Sequence, residues 1–353
     1  MNVVVLSELG QRREHVAWSL FHDFEDALVS TCNAKIFYPE APKATQALKI
    51  FHRIQSRLTK SWYKIPELPI SAKGPNVLLL LSMGPGFLLS VFGVEEILKK
   101  FDYCLAYVDD AFLPSYIAPY VLDKIDYLFV GIAELARDIQ NELKISVGFI
   151  PSAVDALNNS SCSLNRNIDV LNYGRTQQDV HTVLQSYFNQ PNTDFFYFHS
   201  TFKGAHISNS REHRMLMWKL LRHSKISMCF EASNVARFQG YSPFLLRWAE
   251  GFAGGCAIVG RRPYGEGVAE LLDWEDSTFE LPEASEDWLP FILNLLEDKE
   301  RLRAVSLRNY RHALLKHDWR YRIVTMLKAV NLPIPDALKA EIQCLQERAL
   351  RAI

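Results

Sequence analysis

The chain has no excess of either charge. Across 353 residues, 39 Lys and Arg stand against 40 Asp and Glu, a formal net charge of −1. A whole-molecule field that gathers nucleic acid is therefore excluded, and affinity for an anionic surface has to come from local clustering. Cysteine is sparse too. The six thiols, Cys32, Cys104, Cys162, Cys229, Cys256 and Cys344, include no CxxC pair. That excludes the usual zinc frameworks, offers no disulfide scaffold, and fits reduced thiols in a cytosolic protein. No apolar run reaches the ~18 residues of a membrane span. The sequence opens on an apolar strand with no basic leader segment before it and no cleavage site after it, so a cytoplasmic location is expected. Internal repeats and low-complexity segments are missing. No GxGxxG follows any strand, which argues against a dinucleotide-dependent dehydrogenase.

What is present is an ordinary globular composition, 48% hydrophobic and 22% charged, in a chain long enough for two domains. Apolar runs at 2–7, 77–81, 103–108, 126–130 and 145–150 alternate with helical patterns. One of these is the four-residue stripe Val16, Leu20, Phe24, Leu28. Continuous apolar strands separated by helices predict a parallel sheet covered on both faces. Residues 155–167 break the pattern with a polar Asn-Asn-Ser-Ser centre, and the alternation restarts at 168–173, 195–198, 226–230 and 257–259. Helices are expected over 177–188, 210–223 and 242–253. The expected architecture is α/β, with two doubly wound Rossmann-like units: 1–155, a linker at 156–167, and 168–315, with helices over 316–353. Ligands in such sheets sit beyond the carboxyl ends of the strands.

The most informative segment is SPFLLRWAEGFAGGCAIVG at 242–260. Arg247 and Glu250, three residues apart, share one helix face. The glycines stop the helix, and a buried strand ends at Gly260. A helix entering a cleft suits phosphate, while a surface ion pair on a plain α/β unit is the alternative.

This segment resembles the donor-binding motif of the group-1, GT-B-fold glycosyltransferases, in a branch with an Arg three residues ahead of the Glu. Three further pieces follow the family's order. They are GFIPSAVD at 148–155 before the linker, DVLNYGR at 169–175 with its Gly-Arg turn, and an acidic stretch over 263–273 before a short strand near Phe279. The resemblance implies a GT-B fold whose C-terminal helices return to the N-terminal domain. It also implies metal-independent transfer from a nucleotide sugar with retention of configuration, and no cofactor. Glu250 would bind the ribose hydroxyls, and Gly174 and Arg175 would face the diphosphate. The chain also departs from the family. Ser242 stands where the common branch has a second Glu, and no His lies between His52 and His181.

A diphosphate leaving group needs cations where charge grows. Arg175, Lys203 and Arg247 are the candidates, and an arginine fork suits phosphate. Asp109 and Asp110, at a strand end, could act as a general base on the acceptor hydroxyl or could cap a helix. Residues 47–65 place Lys49, Arg53, Arg57, Lys60 and Lys64 beside an apolar face. Such a helix suits either peripheral contact with an anionic membrane or an ordinary solvated face. The expected partners are a nucleotide sugar and an unidentified acceptor (polysaccharide, glycolipid or metabolite). Two rivals remain: a catalytically silent GT-B binding protein and a nucleotide-sugar epimerase.

Overall fold

The computed structural model describes residues 1–41, 63–163, 165–174, 176–199 and 205–352. Strands β1 (Asn2–Ser7), β2 (Lys35–Phe37), β3 (Asn76–Ser82), β4 (Tyr103–Val108), β5 (Tyr127–Val130) and β6 (Val147–Phe149) form one sheet in the order β2-β1-β3-β4-β5-β6. Strands β7 (Ile168–Asn172), β8 (Tyr197–His199), β9 (Ser224–Phe230), β10 (Ala257–Arg261) and β11 (Phe279–Glu280) form a second, ordered β11-β10-β9-β7-β8. All pairings are parallel. The described α-helices of eight or more residues are α1 (Leu20–Cys32), α2 (Ala133–Leu143), α3 (Gln178–Phe188), α4 (Ser210–Arg222), α5 (Leu246–Ala253), α6 (Trp288–Glu297), α7 (Lys299–Lys316), α8 (Trp319–Ala329) and α9 (Asp336–Arg351).

Strand side chains alternate between faces, and here both faces are buried. In the first sheet Val3, Val5, Leu79, Leu81, Leu105 and Tyr107 join the core beneath α1 and α8. Val4, Leu6, Leu78, Leu80, Cys104 and Ala106 join the opposite core, with α2. That is why these strands read as unbroken apolar runs. The second sheet repeats the arrangement, with Cys229 and Ile258 on one side and Ile226, Met228 and Val259 on the other. The two doubly wound units expected from the sequence are present.

One helix starts later than expected. Residues 242–245 are not helical, and α5 begins at Leu246. The ring of Pro243 disfavours helical geometry at the preceding Ser242, and Ser242 is tied elsewhere by its side chain. The segment over 85–94, helix-like in the sequence, is a 3₁₀ run opened by Pro85.

The C-terminal helices bind both units together. Trp319 of α8 stacks on Phe24 of α1 at 4.1 Å. Leu338 of α9 enters the first core, while Leu345 and Ala349, further along, enter the second. Between the units, Val154 bridges Asp318, and Asp155 accepts a 2.8 Å hydrogen bond from Arg320 Nη1. The basic helix expected over 47–65 lies outside the described residues except at 63–65, where Lys64 pairs with Glu40 through two backbone hydrogen bonds of 3.0 Å. Among the described residues no helix is long and apolar enough to cross a membrane.

Candidate functional site

Open parallel sheets bind ligands where the strand order reverses. In the second sheet the chain leaves β7 toward β8 and returns on the other side to β9, so the crevice lies beyond Asn172 and Phe230. Gly174 follows β7 with φ +70, a left-handed conformation that glycine adopts freely. A side chain there would collide with the guanidinium of Arg247. Arg247 projects from the first turn of α5, its Cζ 5.6 Å from the centre of the Tyr173 ring. The structure thus brings Gly174, Arg247 and Glu250 to one place. Arg175 and Lys203 lie outside the described residues.

Glu250 is the most enclosed member of this group, 3% exposed. Its Oε2 accepts a hydrogen bond from the Tyr173 hydroxyl at 2.6 Å, and its Oε1 accepts one from Arg214 Nη1. Burial, and then the neighbouring Glu250 charge, hold the Tyr173 phenol well above its ordinary pKa, so it stays a donor. Arg214 also donates to both oxygens of Asp23, at 3.3 and 2.6 Å. Burial alone would lower the Arg214 guanidinium, but Asp23 and Glu250 hold it raised. The sequence reading missed Tyr173, Arg214 and Asp23. The i, i+4 spacing of Arg214 and Trp218 on α4 gave no hint of them, because their partners are distant in the chain.

Ser242 is 1% exposed and acts as a local fastener. Its Oγ donates to Glu231 Oε2 at 3.0 Å and accepts from the Tyr264 N–H at 3.2 Å, which anchors the loop after β10. Glu231, at the end of β9, lines a cavity of about 180 Å³ with Gln177, Val180, Asn234, Arg261 and Trp288. This space adjoins the C-terminal ends of β9 and β10.

The first sheet reverses between β1 and β3. Beyond those strands, Glu8 Oε2 accepts the Met83 N–H at 2.8 Å. Burial raises the Glu8 carboxyl above its ordinary pKa, offset in part by that hydrogen bond. On the next strand, Asp109 Oδ1 accepts from the Tyr107 and Ser152 hydroxyls, each at 2.6 Å. Burial raises Asp109 too, against those two donors. Asp110 faces across the cleft instead, paired with Arg237 of the second unit at 2.9 Å. The two expected carboxylates therefore have different surroundings. Asp109 is held within its own domain, and Asp110 spans two. Glu8 was not legible as a site residue, since only the strand order brings it beside Met83.

The units meet on both sides of this cleft. On one side His22 Nε2 lies 2.9 Å from Ser210 Oγ, and Arg211 pairs with Asp26 at 2.7 Å. On the other, Tyr241 donates to Asp138 at 2.7 Å and Arg137 pairs with Glu266 at 2.6 Å. Among the described residues no group of three or more His, Cys, Asp or Glu is placed to hold a metal.

Residues 193–328, which include α4, β9, α5 and β10, match a family model described as glycosyl transferase-like. The chain superposes on Anabaena Alr3699/HepE, solved in complex with UDP-glucose, with a TM-score of 0.51 and 11% identity. The match covers 94% of this chain and 100% of that one. The fold is GT-B, and the matched segment is glycosyl transferase-like. AviGT4, a glycosyltransferase involved in avilamycin A biosynthesis, is also similar in shape, with a TM-score of 0.46 and 10% identity over 94% of this chain and 99% of that one. No curated protein matches the chain. Strands β1 to β6 belong to the first of the two domains and β7 to β11 to the second.

Proposed function

We propose that the protein transfers a sugar from a nucleotide-sugar donor to an acceptor hydroxyl in the cleft between the two domains. In this reading β7 to β11 form the donor-side domain and β1 to β6 the acceptor-side domain. What supports it is the grouping of Gly174, Arg247, Tyr173 and Glu250 at the reversal point of the second sheet, inside or beside the glycosyl transferase-like segment. Arg247, with Arg175 and Lys203, neutralises the departing diphosphate as its charge grows. Glu250 accepts hydrogen bonds from the ribose. On the acceptor side Asp109 takes the hydroxyl proton, and burial holds its pKa above the ordinary aspartate value. The reading uses the chain's own cations in place of a metal and needs no cofactor. A base at Asp109 goes with inversion. Retention, which the family resemblance implies, would leave Asp109 as an acceptor-binding group, and the anomeric configuration of the product separates the two. The acceptor class proposed is a polysaccharide, glycolipid or glycosylated metabolite, reached in the cytoplasm or from the membrane surface through 47–65.

A specific observation favours a second reading, a silent GT-B binding protein: Glu250 is only 3% exposed, and each of its oxygens already accepts one hydrogen bond from the protein, leaving one lone pair apiece. Thermal unfolding against a panel of nucleoside diphosphates and nucleotide sugars decides between the two. A ligand at 100 times its Kd adds about 2.7 kcal/mol, so a true donor raises Tm visibly. The shift is expected to be lost in Glu250→Gln. A folded wild type that responds to no nucleotide overturns the transferase reading.

A further inference from the structure

Arg214 hydrogen-bonds both the proposed ribose-binding carboxylate and the opposite domain. It stands on α4 of the donor-side domain. Its Nε and Nη2 reach Asp23 on α1 of the acceptor-side domain at 3.3 and 2.6 Å, and its Nη1 reaches Glu250. All three side chains are at most 5% exposed. The planar guanidinium makes this possible, because its N–H groups point along two edges of one rigid fork. The Trp218 ring lies 4.9 Å from Arg214 Cζ and Met217 Sδ 3.9 Å from Nη1, so the fork is held in one orientation.

Taking three charges out of water is costly, and apolar residues of similar size commonly stabilise a fold as well or better. Stability alone is therefore a poor account of this triad. Its connectivity supplies a better one. With the domains together, Asp23 shares the Arg214 charge, and Glu250 keeps lone pairs on both oxygens for hydroxyl donors. With the domains apart, Asp23 is withdrawn and the guanidinium falls to Glu250 alone. The orientation and hydrogen-bonding capacity of Glu250 then depend on domain closure. We infer that Arg214 is a positioning residue that couples ribose recognition at Glu250 to closure through Asp23. The inference rests on the donor-site reading above. Linkage makes the coupling reciprocal: nucleotide binding favours closure by the factor by which closure favours binding.

Asp26 provides the control. It lies one turn from Asp23 on α1 and pairs with Arg211, also across the domains, but both of these side chains are about half exposed and neither touches Glu250. Isothermal titration with UDP, GDP and ADP on the full chain compares wild type, Asp23→Asn, Arg214→Lys and Asp26→Asn. For whichever diphosphate wild type binds, Asp23→Asn and Arg214→Lys are expected to weaken Kd at least about fivefold, the lower end of typical coupling. Asp26→Asn is expected to stay within about twofold, as exposed pairs contribute little. A merely structural role would lower Tm without changing Kd at a temperature where the variant is folded. If Asp23→Asn does not fold, Asp23→Glu keeps the charge while moving the carboxylate, and it is expected to weaken Kd as well. Wild-type binding with unchanged affinity in the Asp23 variant overturns this inference alone. Absence of nucleotide binding in wild type removes the donor-site reading and this inference with it.

Discussion

Gly174 is constrained twice over. Its φ of +70 costs any other L-residue about 1–2 kcal/mol, and a Cβ would press on the Arg247 guanidinium. Gly174→Ala is therefore expected to lower stability by roughly that amount in urea unfolding. It should also weaken nucleotide binding further than the stability loss explains, because Arg247 must move. An unchanged Kd would separate Arg247 from the diphosphate. Asp109 makes a different prediction. Asparagine at this position still accepts from Tyr107 and Ser152 but takes no proton. Asp109→Asn is thus expected to lower turnover about 10²–10⁴-fold with little change in Tm, once an acceptor is in hand. Turnover near that of wild type would remove Asp109 as the base. Local patterns and the family resemblance singled out Gly174, Arg247, Glu250 and Asp109 as candidates. They left out Glu8, Asp23, Tyr173 and Arg214, because partners distant along the chain leave no trace in a residue's neighbours.

Among the elements, α9 divides its apolar face between the two cores. Its apolar stripe is regular, yet Leu338 is buried against α1 and α8 while Leu345 and Ala349 are buried with the core of the second domain. Truncation of a fully buried leucine costs about 2–5 kcal/mol. Leu338→Ala and Leu345→Ala are each expected to fall in that range by urea unfolding. Hydrogen exchange is expected to rise earliest in the first sheet for the former and in the second sheet for the latter. Exchange confined to one domain in both variants would show that α9 serves a single core. The spacing of Leu338, Ile342, Leu345 and Ala349 is helical. Which core each leucine enters depends on where the two domains stand. The late start of α5 is similar in kind: Pro243 was visible in the sequence, but the bonds that hold Ser242 to Glu231 and Tyr264 form only after β9 and β10 are adjacent.

For the whole molecule, the seam between domains carries a pH dependence. His22 lies there, its pKa lowered to about 4 by burial first and then by the charge of Arg211. The folded value lies below the ordinary 6.5. Stability from neutral His22 is therefore complete above about 6.5 and is lost as pH falls through about 4. Asp318 acts in the opposite sense. Burial pushes it up to about 6 despite Arg320, so its contribution is present at low pH and lost as pH rises through about 6. The comparison must therefore be made against wild type. His22→Asn is expected to lose less Tm than wild type between pH 7 and pH 5. Parallel curves would place the acid sensitivity elsewhere, His312 being the next candidate, since burial lowers it to about 4 as well.

The α/β class, the two doubly wound units and the motif segment around Arg247 and Glu250 were legible in the sequence. Each of these is local: strand burial on two faces, helical stripes, glycine stops and polar linkers appear within windows of a few to twenty residues. Folding had to settle the rest. It encloses Glu250 between Tyr173 and Arg214, pairs Asp110 with the second domain while Asp109 stays within its own, and brings Glu8 beside Met83. Those outcomes depend on strand order and on how the two domains meet. Contacts of that range follow from the packing of whole elements, whereas local sequence patterns specify only the elements themselves.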